Sequence, residues 1–70
     1  MDKKSAFEAL EARAASARIS LHQLCKRTKI APSTISRWRA RPDMMSWGKL
    51  GELEAEIGVI ERERAAAAAA

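Results

Sequence analysis

The sequence has 70 residues, with one cysteine, one histidine, no tyrosine and three other aromatic residues. With a single cysteine the chain cannot form an intramolecular disulfide, so a small secreted disulfide scaffold is excluded. A single histidine excludes a histidine-rich zinc site. The sequence also lacks an apolar run of about 18 residues and the apolar segment of a signal peptide. We therefore expect no membrane contact and a cytoplasmic location.

Patterns typical of catalysis are missing as well. There is no Ser, His and Asp set suited to nucleophilic catalysis, no pair of carboxylates that suggests a pocket and no phosphate-binding loop. A domain of this length buries only about 60% of the surface of its unfolded chain, which leaves no room for a separate substrate domain. We therefore predict that the protein is not an enzyme and uses no cofactor, metal or small-molecule ligand.

Positive charge is concentrated in the middle of the chain. The formal net charge is +4. Residues 12–42 contain eight basic residues and no acidic one, whereas residues 1–11 and 43–70 have net charges of −1 and −3. A solvated surface usually mixes both signs, so this basic block indicates a surface that faces phosphate groups.

Spacing and capping patterns predict an all-α domain without strands. Two helix starts are marked by capping boxes, Ser5 with Glu8 for the first helix and Ser20 with Gln23 for the second. Asp2 is an alternative cap one turn earlier. Pro32 suits the first position of the third helix, where its missing N–H has no intrahelical partner. The helices are predicted over about residues 3–17, 21–28, 32–40 and 47–58.

Several residues are predicted to form the core rather than to carry chemistry. Trp38 and Trp47 each fall on the apolar face of a predicted helix, and Cys25 is expected to be a buried, inert thiol. Met44 and Met45 are predicted to fill the gap between the third and fourth helices. Residues 61–70 form a charged and polyalanine tail that either extends the last helix or frays.

The segment from Ser20 to Trp38 resembles the helix-turn-helix of lambda-repressor and Cro-like DNA-binding domains. Two short helices are separated by about four residues, which fits that motif. The resemblance is carried by SLHQLC at 20–25 and IAPSTISRW at 30–38. The family has core side chains at five positions of this motif. In this sequence those positions are Leu24, Cys25, Ile30, Ile35 and Trp38.

This resemblance implies a small domain of four to five helices over residues 1–60, with helices 2 and 3 as the helix-turn-helix. It implies a sequence-specific transcriptional regulator of phage or bacterial origin, similar to Cro or a repressor, that binds a double-stranded DNA operator in the nucleoid. We expect a homodimer that is weak without DNA. The apolar residues predicted for its interface are Val59 and Ile60, with Ile57 and Trp47 as further candidates.

The third helix is the expected recognition helix, lying in the major groove. Arg37 suits a bidentate hydrogen bond to guanine, with a phosphate contact or a solvated side chain as alternatives. For Ser33 the alternative is local capping of the helix. The predicted base-contacting residues are Ser33, Thr34, Ser36 and Arg37.

Phosphate contacts are expected around the recognition helix and at the start of the second helix. Capping alone is an alternative role for Ser20 and Gln23, and a solvated surface position is the alternative for His22. Lys26 and Lys29 either contact phosphate or only add to the positive field. The predicted phosphate-contacting residues are Ser20, His22, Gln23, Lys26, Lys29, Arg39 and Arg41.

The sequence departs from the family at the turn and after the fourth helix. Lys29 stands where the family usually has glycine, so we expect a positive φ at a residue with a side chain. Ala31 replaces the usual Ser or Thr cap of the recognition helix. Few apolar residues remain for a fifth helix.

A protein-interaction module, antitoxin-like or an adaptor, is the alternative function, with the acidic fourth helix as its binding surface.

Overall fold

The structure is a computed structural model that describes residues 2–69. This part of the chain contains helices and no strands, which confirms the predicted all-α class. The second and third helices have the predicted bounds. The elements are α1 (Lys3–Ser16), α2 (Leu21–Thr28), α3 (Pro32–Ala40), a 3₁₀ turn (Pro42–Met44) and α4 (Trp47–Ala69).

Local signals explain where α2 and α3 begin and end. The Ser20 hydroxyl accepts a hydrogen bond from the Gln23 N–H at 3.0 Å, and the Gln23 side chain accepts one from the Ser20 N–H at 3.1 Å. This reciprocal capping box is the one predicted. Pro32 occupies the start of α3, and Ala31 provides no side-chain cap. The α3 helix stops before Pro42 because proline disfavours helical geometry in the preceding residue.

The α1 helix begins at Lys3, as predicted, but its cap is the alternative residue, Asp2, rather than Ser5. Asp2 is the cap, and its carboxylate accepts a hydrogen bond from the Ser5 N–H at 2.7 Å. The helix therefore begins one turn before the predicted Ser5–Glu8 box, and Ser5 lies inside it. The hydrogen bonds from Ser5 lower the pKa of the Asp2 carboxyl, because they favour its charged form.

Shortly after the last residue of α1, and again after the last residue of α2, a basic residue lies in the left-handed region. Arg18 has φ 56° and Lys29 has φ 60°. After α1, the Ile19 N–H donates to the Ala14 carbonyl at 3.0 Å, and after α2 the Ile30 N–H donates to the Cys25 carbonyl at 3.1 Å. These bonds satisfy carbonyls that a helix end would otherwise leave open. The positive φ predicted for Lys29 is confirmed, whereas the one at Arg18 was not predicted.

The core lies where α4 packs across α1 and α2, with α3 packed on α2. The rings of Phe7 and Trp38 meet edge to face with centroids 6.1 Å apart. Cys25 is fully buried, which confirms the prediction, and burial raises the pKa of its thiol so that it stays protonated. The larger core side chains are Phe7, Leu10, Leu24, Ile30, Ile35, Trp38, Met45, Leu50, Leu53, Ile57 and Ile60.

Three predictions about the fourth helix and the residues that precede it were wrong. The helix does not end near Gly58 but continues to Ala69, because nothing in the alanine-rich segment interrupts it. Trp47 is 50% exposed, since it lies roughly 100° around the helix from the centre of the buried face. Met45 is buried as predicted, but Met44 is 50% exposed.

The same helix removes two residues from the predicted dimer interface. Ile57 is completely buried and Ile60 is 3% exposed, so both belong to the core of the monomer. They follow Leu50 and Leu53 at helical spacing and face α1 and α2 with them. Of the apolar candidates, Val59 and Trp47 remain accessible at the surface.

Candidate nucleic-acid interface

One face of α3 is polar and exposed, and the other is packed into the core. Ser33, Ser36 and Arg37 are exposed, while Ile35 and Trp38 are 5% and 2% exposed. The small residues Ser33 and Ser36 leave the backbone of α3 accessible between the longer side chains. A helix with such a face suits the major groove of B-DNA, whose width admits an α-helix.

Thr34 does not share this face. Its side chain is 9% exposed, and it lies one turn before Trp38 on the packed side of the helix. Thr34 was predicted to contact a base together with Ser33, Ser36 and Arg37. Burial argues against Thr34 as a base-contacting residue, because a buried hydroxyl does not reach a base edge without repacking.

A groove of about 440 Å³ brings together residues from α1, α2 and α3. Ser20 and His22 lie at the start of α2, and Ser36 and Arg39 line the groove from α3. Three of the predicted phosphate contacts and one predicted base contact therefore border the same surface. The start of α2 is thereby placed beside the exposed face of α3.

The capping box leaves donors available at the start of α2. The Ser20 oxygen and the Gln23 side-chain oxygen both accept backbone hydrogen bonds. The Ser20 hydroxyl hydrogen and the Gln23 amide N–H₂ remain as donors because a hydroxyl and an amide each carry both functions. Capping and contact with a phosphate are therefore compatible roles for the same two side chains.

Four of the basic candidates are exposed and make no ion pair within residues 2–69. These are Lys26, Lys29, Arg37 and Arg41. Lys26 and Lys29 lie at the end of α2, and Arg41 follows α3 directly. Arg18, also exposed and without an ion pair in this part of the chain, ends α1. Basic residues without an ion pair therefore both precede and follow α3 in the sequence.

Other residues of the basic block are neutralised by acids from outside it. Arg39 pairs with Glu11 of α1 at 3.0 Å. Arg27 pairs with Glu56 of α4 at 2.6 Å. Arg13 pairs with two further glutamates of α4, Glu54 at 3.9 Å and Glu61 at 2.7 Å. The basic block contains no acidic residue in the sequence. In the folded molecule, however, acids of α1 and α4 pair with three of its eight charges.

Glu11 is the functional candidate that the sequence analysis missed. It lines the groove and holds Arg39, a predicted phosphate contact, in an exposed ion pair. Glu11 and Arg39 are 28 residues apart, so no local pattern could join them. For Arg18 a signal did exist, because a very short link between two helices favours a left-handed residue just after the first.

The ion pairs also bear on the alternative function. The acidic fourth helix was the feature that suggested a surface for a protein partner. Glu54 and Glu56 are instead engaged by Arg13 and Arg27 of the same chain. Of the neighbouring acids Glu52, Glu54 and Glu56 on α4, Glu52 alone is left without an ion pair within residues 2–69.

No family model, no curated protein and no solved structure matches this chain. Within residues 2–69, no three His, Cys, Asp or Glu side chains group as a set of metal ligands. None of the described helices combines the length and the apolar character needed to cross a bilayer. The arrangement of α2, α3 and the charges around them is therefore the basis from which a function is inferred.

Proposed function

We propose that the protein is a sequence-specific DNA-binding regulator whose α2 and α3 form a helix-turn-helix of the lambda-repressor type. The observation that carries this proposal is the exposed polar face of α3, flanked by basic side chains without ion pairs. A buried apolar side on the same helix holds that face rigidly on the core. Protein–DNA interfaces need both a surface that enters the groove and cations that meet the phosphates.

In this proposal α3 lies in the major groove and reads base edges. Arg37 donates two hydrogen bonds to a guanine, and Ser33 and Ser36 contact neighbouring bases or the sugar-phosphate backbone. Arg37 and Arg39 are two residues apart and therefore about 200° apart around the helix, so they serve different purposes. Arg39 faces α1 and the groove, on the side where a phosphate would lie.

The phosphate contacts come from the elements around α3. The start of α2 presents Ser20 and Gln23, with His22 beside them, to one strand of the duplex. Lys26, Lys29 and Arg41 add positive charge on either side of the recognition helix. Such contacts set the register and the affinity but do not read the sequence.

Replacing Arg37 with alanine tests this assignment. If Arg37 binds a guanine, Arg37→Ala costs about 1–3 kcal/mol on a selected operator and relaxes the preference at one base pair of a half-site. The operator is first obtained by selecting bound sequences from random duplex DNA. Binding isotherms on that operator and on a scrambled duplex, each at several salt concentrations, then measure the effect.

Arg41→Ala is the matched control, because it removes the same charge four residues later. We expect it to weaken binding to both duplexes alike and to lower the salt slope by about one. Equal weakening of both duplexes by Arg37→Ala would make Arg37 a phosphate contact and would transfer base reading to Ser33 and Ser36. A selection that enriches no sequence would contradict specific recognition altogether.

A further inference from the structure

The last part of α4 extends beyond α1 and forms a cleft with the link between α1 and α2. The α1 helix ends at Ser16, whereas α4 continues to Ala69. The cleft has a volume of about 560 Å³ and shares no lining residue with the groove beside α3. We name it the α1–α4 cleft, and its lining residues are Ser16, Ala17, Arg18, Glu61, Arg64 and Ala68.

Arg64 points into this cleft because it continues the buried stripe of α4. At 100° per residue its direction around the helix lies between the directions of Ile57 and Ile60. Those two isoleucines are buried, whereas Arg64 is exposed, because it lies one turn past Ile60, where α1 has already ended. Its side chain is therefore directed at the α1–α2 link and not away from the molecule.

Arg18 reaches the same cleft from the α1–α2 link. It is exposed, and its φ of 56° is one that glycine adopts more easily than a residue with a side chain. The turn itself therefore gives no reason for an arginine here. The next two residues, Ile19 and Ser20, line the groove beside α3. The link thus joins the α1–α4 cleft to the start of α2, where phosphate contacts are proposed.

The cleft has an excess of positive charge. Glu61, the acid among its lining residues, accepts a hydrogen bond from Arg13 at 2.7 Å, which compensates its charge. Arg18 and Arg64 make no ion pair within residues 2–69. The last carbonyls of α1 accept backbone hydrogen bonds from the link, so they present little negative charge to the cleft. Two guanidinium groups on one cleft repel each other, and an anion between them removes that repulsion.

A phosphate group of DNA is the anion that suits this position. A guanidinium binds phosphate oxygens through two parallel hydrogen bonds, and the Ser16 hydroxyl is a further donor at the cleft. A carboxylate of an acidic protein would accept the same bonds. The position favours phosphate, because the cleft adjoins the start of α2, whose N–H groups and side chains face a DNA strand in the proposed complex.

We propose that Arg18 and Arg64 together hold one phosphate of the DNA strand that contacts the start of α2, outside the base pairs that α3 reads. This inference rests on the proposed DNA binding and extends the contact from the helix-turn-helix to the projecting end of α4. Because alanine favours helix, α4 continues past its packed part and keeps Arg64 at the cleft. The contact increases affinity and reads no base.

Removal of each charge tests the shared contact. Arg18→Gln and Arg64→Gln should each weaken binding about three- to tenfold at low salt, on the selected operator and on a scrambled duplex alike. Because both arginines hold the same phosphate, the double variant Arg18→Gln/Arg64→Gln should lower the salt slope by about one and not by two. Binding isotherms at several salt concentrations between about 50 and 200 mM measure the slope.

Arg62→Gln is the matched control, because it removes the same charge from the same helix. Arg62 lies two residues before Arg64, which places it about 200° away around α4. Its loss should leave the salt slope unchanged. Arg18, Arg62 and Arg64 are all exposed, so the fold does not depend on them. Circular dichroism and thermal melts confirm that each variant keeps the helices of the parent chain.

Operators with single neutral phosphates locate the contact on the DNA. In each duplex one phosphate is replaced by a methylphosphonate, which removes its charge. One such replacement, outside the base pairs read by α3, should weaken binding of the parent chain and of Arg62→Gln. The same replacement should have no effect on Arg18→Gln/Arg64→Gln, because the double variant has already lost that contact.

Each outcome decides the proposal. A slope lowered by about one in the double variant, together with one phosphate that this variant ignores, supports it. It is overturned if Arg64→Gln binds like Arg62→Gln, or if no methylphosphonate distinguishes the parent chain from the double variant. The DNA binding tested through Arg37 then stands, and the cleft is left to a partner with carboxylates.

Two further results overturn it for other reasons. A salt slope lowered by two in the double variant would assign Arg18 and Arg64 to separate phosphates. A parent chain that binds no duplex at all would overturn the proposed function and this inference together.

Discussion

At the scale of single residues, the two basic residues that end α1 and α2 combine strain with charge. Arg18 and Lys29 occupy the left-handed region, where a side chain costs roughly 1 kcal/mol compared with glycine. Their cations lie beside helix C-termini, where positive charge interacts favourably with the helix dipole. Glycine would relieve the strain but would remove a cation from the proposed DNA-binding side of the molecule.

Lys29→Gly should therefore stabilise the fold by roughly 1 kcal/mol, because glycine adopts the observed φ without a steric cost. For a domain of this size the melting temperature should rise by about 4–8 °C. Thermal melts in moderate salt measure it. Lys29→Ala is the control, since it removes the charge but keeps the strain and should not stabilise. A lower melting temperature for the glycine variant would show that the lysine side chain contributes more than its backbone strain costs.

At the scale of elements, α4 is attached to α1 by an ion pair as well as by its apolar side. Glu61 accepts a hydrogen bond from Arg13 at 2.7 Å, directly after the last core residue, Ile60. The Arg13 guanidinium lowers the pKa of the Glu61 carboxyl, mainly through this hydrogen bond, and the same contact raises the pKa of Arg13. Beyond Glu61 the helix is exposed on all sides up to Ala69.

Glu61→Gln should lower the melting temperature at neutral pH and have no effect in acid. Because the folded-state pKa of Glu61 is lowered, its contribution is present above the ordinary pKa of glutamate and is lost as the pH falls through the folded-state value. Thermal melts of both proteins in dilute solution, over a series of acidic to neutral pH values, should converge at low pH.

Glu63→Gln serves as the control on the same helix, since Glu63 makes no ion pair within residues 2–69. Its melting curve should match that of the parent chain at every pH. A gap between the parent and Glu61→Gln that persists below the pKa of Glu61 would mean that the substitution acts through packing rather than through the charge.

Helix boundaries were predictable where the signal is local. The start of α2 follows from a capping box within four residues, and the end of α3 follows from the Arg41–Pro42 step. The position of Trp47 was not predictable in the same way, because its exposure depends on where α1 and α2 meet α4. The apolar pattern around it fits a buried or an exposed tryptophan equally well.

At the scale of the whole molecule, folding rearranges the charge. The molecule measures 41 × 24 × 18 Å, and α4 is long enough to span most of its longest dimension. Acids on α1 and α4 reach arginines of the basic middle segment and neutralise part of it. The net charge of the chain is unchanged, but within residues 2–69 five basic residues of the middle segment keep no ion pair: Arg18, Lys26, Lys29, Arg37 and Arg41.

Glu11 limits this positive surface, and its removal should strengthen DNA binding. Glu11→Gln releases Arg39 from an exposed ion pair, so we expect higher affinity for operator and scrambled duplexes alike and a steeper dependence on salt. Glu8→Gln makes the same change in net charge on the same helix without releasing an arginine. If both variants raise the affinity equally, the effect belongs to the overall field and Arg39 is not a phosphate contact.

The amino-acid sequence by itself determined the bounds of α2 and α3, the starts of α1 and α4, and the polar and apolar faces of α3. Those features depend on caps, prolines and the helical repeat, all of which act between residues a few positions apart. The left-handed conformation of Lys29 was predicted from the resemblance, because the family usually has glycine at that position.

Only the tertiary structure decided which charges are available. The pairing of Arg39 with Glu11 and of Arg27 with Glu56 joins residues 28 and 29 positions apart. The burial of Thr34 and of Ile60, and the exposure of Trp47, are decided in the same way. Each depends on which helix packs against which, and no short-range pattern contains that information.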